Sequence, residues 1–252
     1  MGKIEGLQLD LTDLRQPKRT AEAFLTREGK MDVLINNAGI QLIPAEGKTE
    51  QGHEIRIGSN CLAHYILTQE LLAILKSTAA LRREEGYPEG SVRVLFAGSI
   101  VIDMESPSGG VEFNAEGTPK IHPVTGSNYA QSKAGNLMLA QWFRDELKKD
   151  GILSICFNPG NVNDRYTVRR NFECTDFQAF LLEKLLLHPV IKGAYTELWT
   201  ALTQDLSLDD PTLYIAPWGQ KNWNRWDIEE ALKSGMPAKF ADWCWRETKS
   251  YR

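Results

Sequence analysis

Tyr129 and Lys133 stand four residues apart in Asn128-Tyr129-Ala130-Gln131-Ser132-Lys133. They lie within a segment, Ser127 to Lys149, whose spacing predicts an amphipathic helix. Four residues apart, the two side chains share one helix face. A free phenol, with a pKa of about 10, is a poor proton donor or acceptor near neutral pH. A nearby ammonium favours the phenolate and lowers that pKa, which makes a tyrosine useful for general acid–base work. Alone the pair says little, because surface Tyr–Lys contacts at this spacing are common. Ser99 strengthens it. It follows the apolar run Val92 to Ala97, at the kind of strand end where reacting residues of parallel sheets collect. Its hydroxyl could donate to a carbonyl oxygen shared with Tyr129; a hydroxyl that only caps backbone is the plainer alternative.

The positioning elements follow from hydrophobic patterning. Leu7 to Leu11 alternates as a short strand, and Thr12 or Asp13 can cap a helix running to Arg27. Met31 to Asn36 reads as a parallel strand buried on both faces. A long helical region from Thr49 to about Leu81 carries Asn60. Val92 to Ala97 is the next strand, and Ile102 to Gly126, rich in Gly, Pro and Ser, is a loop. After the Tyr129 helix come a strand at Leu153 to Phe157, a helix at Gly193 to Gln204, a short strand at Leu213 to Ile215 and terminal helices. Strands alternating with helices imply a doubly wound, Rossmann-like parallel α/β sheet in one domain over residues 1–252.

Asn36-Asn37-Ala38-Gly39, Asn60, Gly98-Ser99, the Tyr129/Lys133 pair and Asn158-Pro159-Gly160-Asn161-Val162, in that order, resemble the short-chain dehydrogenase/reductase family from about Leu7 onward. The long loop before Tyr129 and the ending Tyr214-Ile215-Ala216-Pro217-Trp218-Gly219 resemble its fungal and retinol-dehydrogenase-like members, which often serve secondary metabolism. The resemblance implies an NAD- or NADP-dependent oxidoreductase acting on a small alcohol or carbonyl compound. Its catalytic set would be Asn60, Ser99, Tyr129 and Lys133. Lys133 would also hold the nicotinamide ribose, and Asn60 would hold a water relaying protons to it; an Asn bonded to backbone inside a helix is equally compatible with the pattern. Asp10, Asn37, Ala38, Gly39, Tyr129, Lys133 and Val162 would bind the cofactor. A substrate lid falls at about 164–190, where Phe172, Phe177, Phe180 and Leu181 could floor an apolar cleft, and 220–252 forms a helical extension. Trp218 is a candidate for the cleft wall.

The chain departs from the family in two places. Nothing before Asn36 matches the glycine-rich turn Thr-Gly-x-x-x-Gly-x-Gly, whose helix N-terminus holds a pyrophosphate. Asp10-Leu11 aligns with the acidic end of the third strand, so the first two strands of the family fold are expected to be absent, an N-terminal truncation. Either the sheet carries a gap, or Leu7–Leu11 slides to pair with Met31–Asn36, or the sequence starts partway through its gene. In addition, Asp164 stands where the family often has a Thr for the carboxamide. Weak or lost NAD(P) binding is therefore expected. The alternatives are a cofactor-independent acid–base enzyme, an isomerase, dehydratase or cyclase using Tyr129, Lys133 and Ser99, or a non-catalytic remnant.

Composition narrows the classes further. The 252 residues are 42% apolar and 25% charged, with a net charge of −4, so nothing suggests nucleic-acid binding. No apolar run is long enough for a membrane span. The partner expected is a small-molecule substrate, with a homo-oligomer left open. Cys61, Cys156, Cys174 and Cys244 have no metal or redox spacing, and Cys61 and Cys156 sit in apolar runs, which suits a reducing, cytoplasmic setting. His53, His64, His122 and His188 are scattered, so neither a triad nor a metal site is expected.

Overall fold

The computed structural model describes residues 2–41, 47–163, 187–211 and 214–252. Helix α1 (Gln16–Leu25) precedes strand β1 (Val33–Asn36). A helical run then passes through α2 (Ile55–Ile57), a π turn (Gly58–Leu62), α3 (Ala63–Glu70) and α4 (Leu72–Glu84). Strand β2 (Val92–Ala97), the short α5 (Val101–Glu105), the long α6 (Thr125–Leu147) and β3 (Ile152–Phe157) follow. Beyond them lie β4 (Val162–Asn163), β5 (His188–Pro189), α7 (Val190–Leu202), β6 (Tyr214–Ala216), β7 (Gln220–Asn222), α8 (Trp226–Lys233) and α9 (Met236–Thr248). The main sheet has the order β1-β2-β3-β6-β7, parallel except for β7, and β4 pairs with β5 in a small parallel ribbon.

Strand alternation divides the core. Val92, Val94 and Phe96 face one layer, with Ile152 and Cys156, packed by residues of α1, α3, α4, α6 and α9. Leu95, Ala97, Leu153, Ile155 and Phe157 face the other, covered by Ala201, Leu206 and Leu208 in and beyond α7. Helices on both faces explain the continuous apolar strands. Arg93, on the α7 face and 5% exposed, donates to the carbonyls of Gly90, Thr200 and Thr203, tying the start of β2 to the end of α7.

Several expectations are corrected. Leu7–Leu11 forms no strand. Across from it β1 is an edge, and a hollow of about 690 Å³ lined by Lys3, Glu5, Leu7, Met31, Asp32 and Val33 separates the two. An alternating pattern needs a pairing partner at strand spacing. Here the segment is laced to α1 instead, with Thr20 Oγ1 donating to the Gln8 carbonyl at 2.7 Å. The long helix expected from Thr49 is broken by the π turn and again at Leu71. The expected loop after Ile102 holds part of α5 and an antiparallel bridge, Phe113 to Pro119. Helix α6 is buried from Ala130 through Ala140, not amphipathic, because it is sandwiched between the sheet, α5 and α9. The expected lid at 164–190 falls largely on 164–186, outside the described residues, as do Asp164, Phe172, Phe177, Phe180, Leu181 and Cys174.

Candidate active site

Buried polar groups on α6 mark the site, because polar atoms removed from water must find partners. Asn128, Gln131, Ser132, Lys133 and Asn136 are all at least 95% buried. Lys133 Nζ donates to the Ala97 carbonyl at 2.9 Å, at the end of β2. Ser132 Oγ donates to the Tyr129 carbonyl at 2.7 Å and accepts from Asn60 Nδ2 at 2.9 Å. Asn60, on the π turn, also grips the residue after Gly39: its Oδ1 accepts from Ile40 N at 2.7 Å, and Nδ2 reaches the Ile40 carbonyl at 3.1 Å. The Asn60 carbonyl meets His64 Nδ1 at 2.9 Å. The Asn60 amide is thus committed to clamping the Asn36–Gly39 turn against α6. A π turn inserts an extra residue into the helix and redirects its carbonyls, a common device at functional sites.

The structure brings Asn60, Ser99, Tyr129 and Lys133 together at the carboxyl ends of β1 and β2. The Ser99 side chain lies beside the Tyr129 phenol, and its Oγ accepts from Val101 N at 3.5 Å. Lys133 Nζ lies 5.7 Å from the Tyr129 ring centroid, a cation over an aromatic face. A Cβ at Gly39 would stand 2.9 Å from Asn60 Oδ1 and 3.5 Å from Lys133 Nζ, so only glycine lets that turn approach so closely. Asn37, Ala38 and Gly39 are exposed on the same turn. Val162 is half-buried in β4. Asp10 lies apart, exposed, its Oδ1 accepting from Thr12 N and Oγ1 at 2.8 and 2.7 Å. Trp218 packs on the turn after β3, with ring atoms 3.1 Å from where a Cβ of Gly160 would be and its centroid 5.0 Å from that of His188.

One electrostatic expectation reverses. Lys133 does not depress the Tyr129 phenol; burial pushes it up to about 12, against a smaller lowering by the neighbouring Ser99 side chain. Desolvation disfavours phenolate, and the ammonium is aimed at Ala97, not at the phenol oxygen. Lys133 is itself lowered to about 8 by burial. His64 falls to about 4, through burial first and the Lys133 charge second.

Three site residues were not anticipated. Ser132 and Asn136 lie beside and one turn beyond Lys133, and their positions on the shared face were a usable signal. Tyr214, whose phenol donates to the Ser99 carbonyl at 3.0 Å, had none, because the contact spans 115 residues of sequence. Gly98 has a packing reason: a Cβ there would stand 2.7 Å from Cys156 Sγ and 3.2 Å from the Tyr214 ring. Among the described residues no His/Cys/Asp/Glu group could hold a metal, and no helix is long and apolar enough to cross a membrane.

Comparison with known proteins agrees with the fold. The family model for short chain dehydrogenases matches residues 1–86. The short-chain dehydrogenase/reductase iacJ of Pestalotiopsis fici is 34% identical over 249 residues, 98% of this chain and 73% of its own length. A short-chain dehydrogenase/reductase of Phomopsis amygdali is 33% identical over 99% of this chain and 75% of its own. Among solved structures, an uncharacterized protein from Mycobacterium paratuberculosis superposes with a TM-score of 0.66 at 23% identity, covering 98% of this chain and 76% of the other. An NADPH-bound carbonyl reductase from chicken fatty liver gives 0.56 at 20% identity, covering 85% and 75%. With a sheet of this order, these strand-end residues in contact and relatives this similar over nearly its whole length, the chain belongs to the short-chain dehydrogenase/reductase family of oxidoreductases.

Proposed function

We propose that the protein interconverts an alcohol and a carbonyl on a small apolar substrate with NAD or NADP. The observation that carries this reading is the Ser99 side chain beside the Tyr129 phenol, with Lys133 one turn further along α6 and 5.7 Å from the phenol ring. Ser99 and Tyr129 would share the substrate oxygen. With its phenol held near 12, Tyr129 is fully protonated at neutral pH and serves as the proton donor to an oxygen gaining negative charge. That favours the reduction direction, since an alkoxide is far more basic than a phenolate. Lys133 would hold ribose hydroxyls beside the phenol, and Asn60 keeps the Gly39 turn closed on Lys133. When bound, the nicotinamide supplies the hydride.

The residues present fit one half of such a cofactor. The Cβ-free approach at Gly39, the exposed Asn37 and Ala38, and Val162 suit the ribose and nicotinamide end. The diphosphate end does not fit: the described residues include no glycine-rich turn opening a helix beside β1, and Asp10 is turned onto Thr12. A second reading is acid–base chemistry by Tyr129, Lys133 and Ser99 without a nucleotide, supported by the pairing of Tyr129 and Lys133 on one face of α6. The fungal relatives support a place in secondary metabolism, and the buried thiols of Cys61, Cys156 and Cys244 support a reducing, cytoplasmic compartment.

The test is reduction of a panel of small ketones and aldehydes at millimolar NADPH or NADH, with wild type and Tyr129→Phe. Loss of the proton donor should lower kcat by about 10²-fold or more. Equal rates in the two proteins would overturn the assignment of Tyr129. Turnover that needs Tyr129 but no nucleotide would replace the first reading with the second.

A further inference from the structure

Beneath Ser99 lies a hydrogen-bonded chain that the proposed reaction does not yet use. The Ser99 carbonyl accepts from Ile102 N at 3.1 Å, as α5 begins, and from Tyr214 Oη at 3.0 Å. A carbonyl oxygen has two lone pairs, so both are filled and the Ser99 peptide is fixed in orientation. The Asn158 backbone N donates to the carbonyl of Ile215, the residue after Tyr214, at 2.8 Å. Asn158 Oδ1 accepts from Gly160 N at 2.9 Å. The ends of β2 and β6 are thereby tied through one phenol that is 1% exposed.

Nothing about packing alone requires this hydroxyl. Phenylalanine would fill the same core space, and a buried hydroxyl is worth its desolvation only if its partners matter. The neighbourhood is shaped to admit the ring. Gly98 leaves the space in which its own Cβ would meet Cys156 Sγ, Ile102 Cδ1 and the Tyr214 ring within 2.7 to 3.2 Å. The residue immediately before Ser99 is thus small where a side chain would push Tyr214 off the carbonyl.

We propose that Tyr214 is a positioning residue for Ser99: its hydroxyl fixes the Ser99 peptide so that the Ser99 hydroxyl faces Tyr129, and Gly98 provides the clearance. The inference rests on the reading of Ser99 and Tyr129 as the reacting pair, and it extends the site to the last parallel strand.

The experiment compares wild type, Tyr214→Phe, Ser99→Ala and the double variant. Tyr214→Phe keeps the ring, and its melting curve should show a folded protein. Loss of one orienting hydrogen bond should lower kcat about tenfold. KM should stay within about twofold, since the loss falls on the transition state. In the Ser99→Ala background Tyr214→Phe should have almost no further effect, because its target hydroxyl is gone. An equal loss in both backgrounds would mean a general structural role and overturn the proposal. A second readout needs no turnover: the 13Cζ resonance of Tyr129 in the ligand-free protein, assigned with Tyr129→Phe, should move in Tyr214→Phe in the same direction as in Ser99→Ala. An unmoved Tyr129 resonance overturns the proposal even if no substrate is found, whereas a moved resonance without any turnover supports it and tells against the oxidoreductase reading alone.

Discussion

Lys133 and Asn136, one helical turn apart on α6, donate to the same oxygen: Lys133 Nζ reaches the Ala97 carbonyl at 2.9 Å and Asn136 Nδ2 at 3.0 Å. Two donors on one carbonyl weaken each other's bond, and the neutral amide draws on acceptor strength that would otherwise stabilise the ammonium. The Asn136 Oδ1 atom is buried with no hydrogen-bond partner, so this amide is held by its nitrogen alone. Asn136→Ala should leave the carbonyl to Lys133 and raise the Lys133 pKa from its value of about 8. Titration of the 15Nζ resonance of Lys133 would show this; a fall or no change would mean that the shared acceptor is unimportant.

Lys133 costs the fold stability. Its pKa is about 8 in the native state and 10.5 in the unfolded chain, so between those values the unfolded chain binds more protons and stability rises with pH. Below pH 8 the whole penalty is present, about 3 kcal/mol at 1.36 kcal/mol per unit. Lys133→Met should therefore be more stable than wild type at pH 7, with the difference shrinking toward pH 10.5, while losing activity. Urea midpoints at the two pH values measure it, and a less stable variant at pH 7 would contradict the assignment.

His64 sets an acid limit. Burial and the nearby Lys133 charge hold it near 4, against 6.5 when unfolded. As pH falls from 6.5 toward 4 the unfolded chain takes up the proton first, so stability should drop, by about 3 kcal/mol over the whole window. His64→Gln should flatten that part of the stability profile. A variant with the same slope as wild type would place the acid sensitivity elsewhere.

The 252-residue chain should hold a nicotinamide dinucleotide only weakly. A helix N-terminus and its backbone N–H groups normally offset the cost of holding two phosphate charges. Without that turn, several kcal/mol of binding should be missing, and each 1.4 kcal/mol is tenfold in affinity. NADPH and NADH should bind at roughly millimolar Kd or not at all. Calorimetry giving a micromolar Kd would show that other residues supply the diphosphate site.

Features that depend on short separations along the chain were legible without any coordinates. Tyr129 and Lys133 share a face because four residues make about one helical turn, and β2 and β3 were legible because strands buried on both faces are mostly apolar. The ordered strand-end motifs carried the family. Where long-range packing decides, the sequence could only propose. Leu7–Leu11 has a strand's alternation, but it stays irregular because β1 lies across a hollow and gives it no ladder. The direction of the Tyr129 shift depended on which carbonyl Lys133 found and on how much water the fold removed, and both are set by β2 meeting α6. Tyr214 reaches Ser99 only because β3 brings the ends of β2 and β6 to the same level, so a contact across 115 residues exists in the folded chain and nowhere in local sequence.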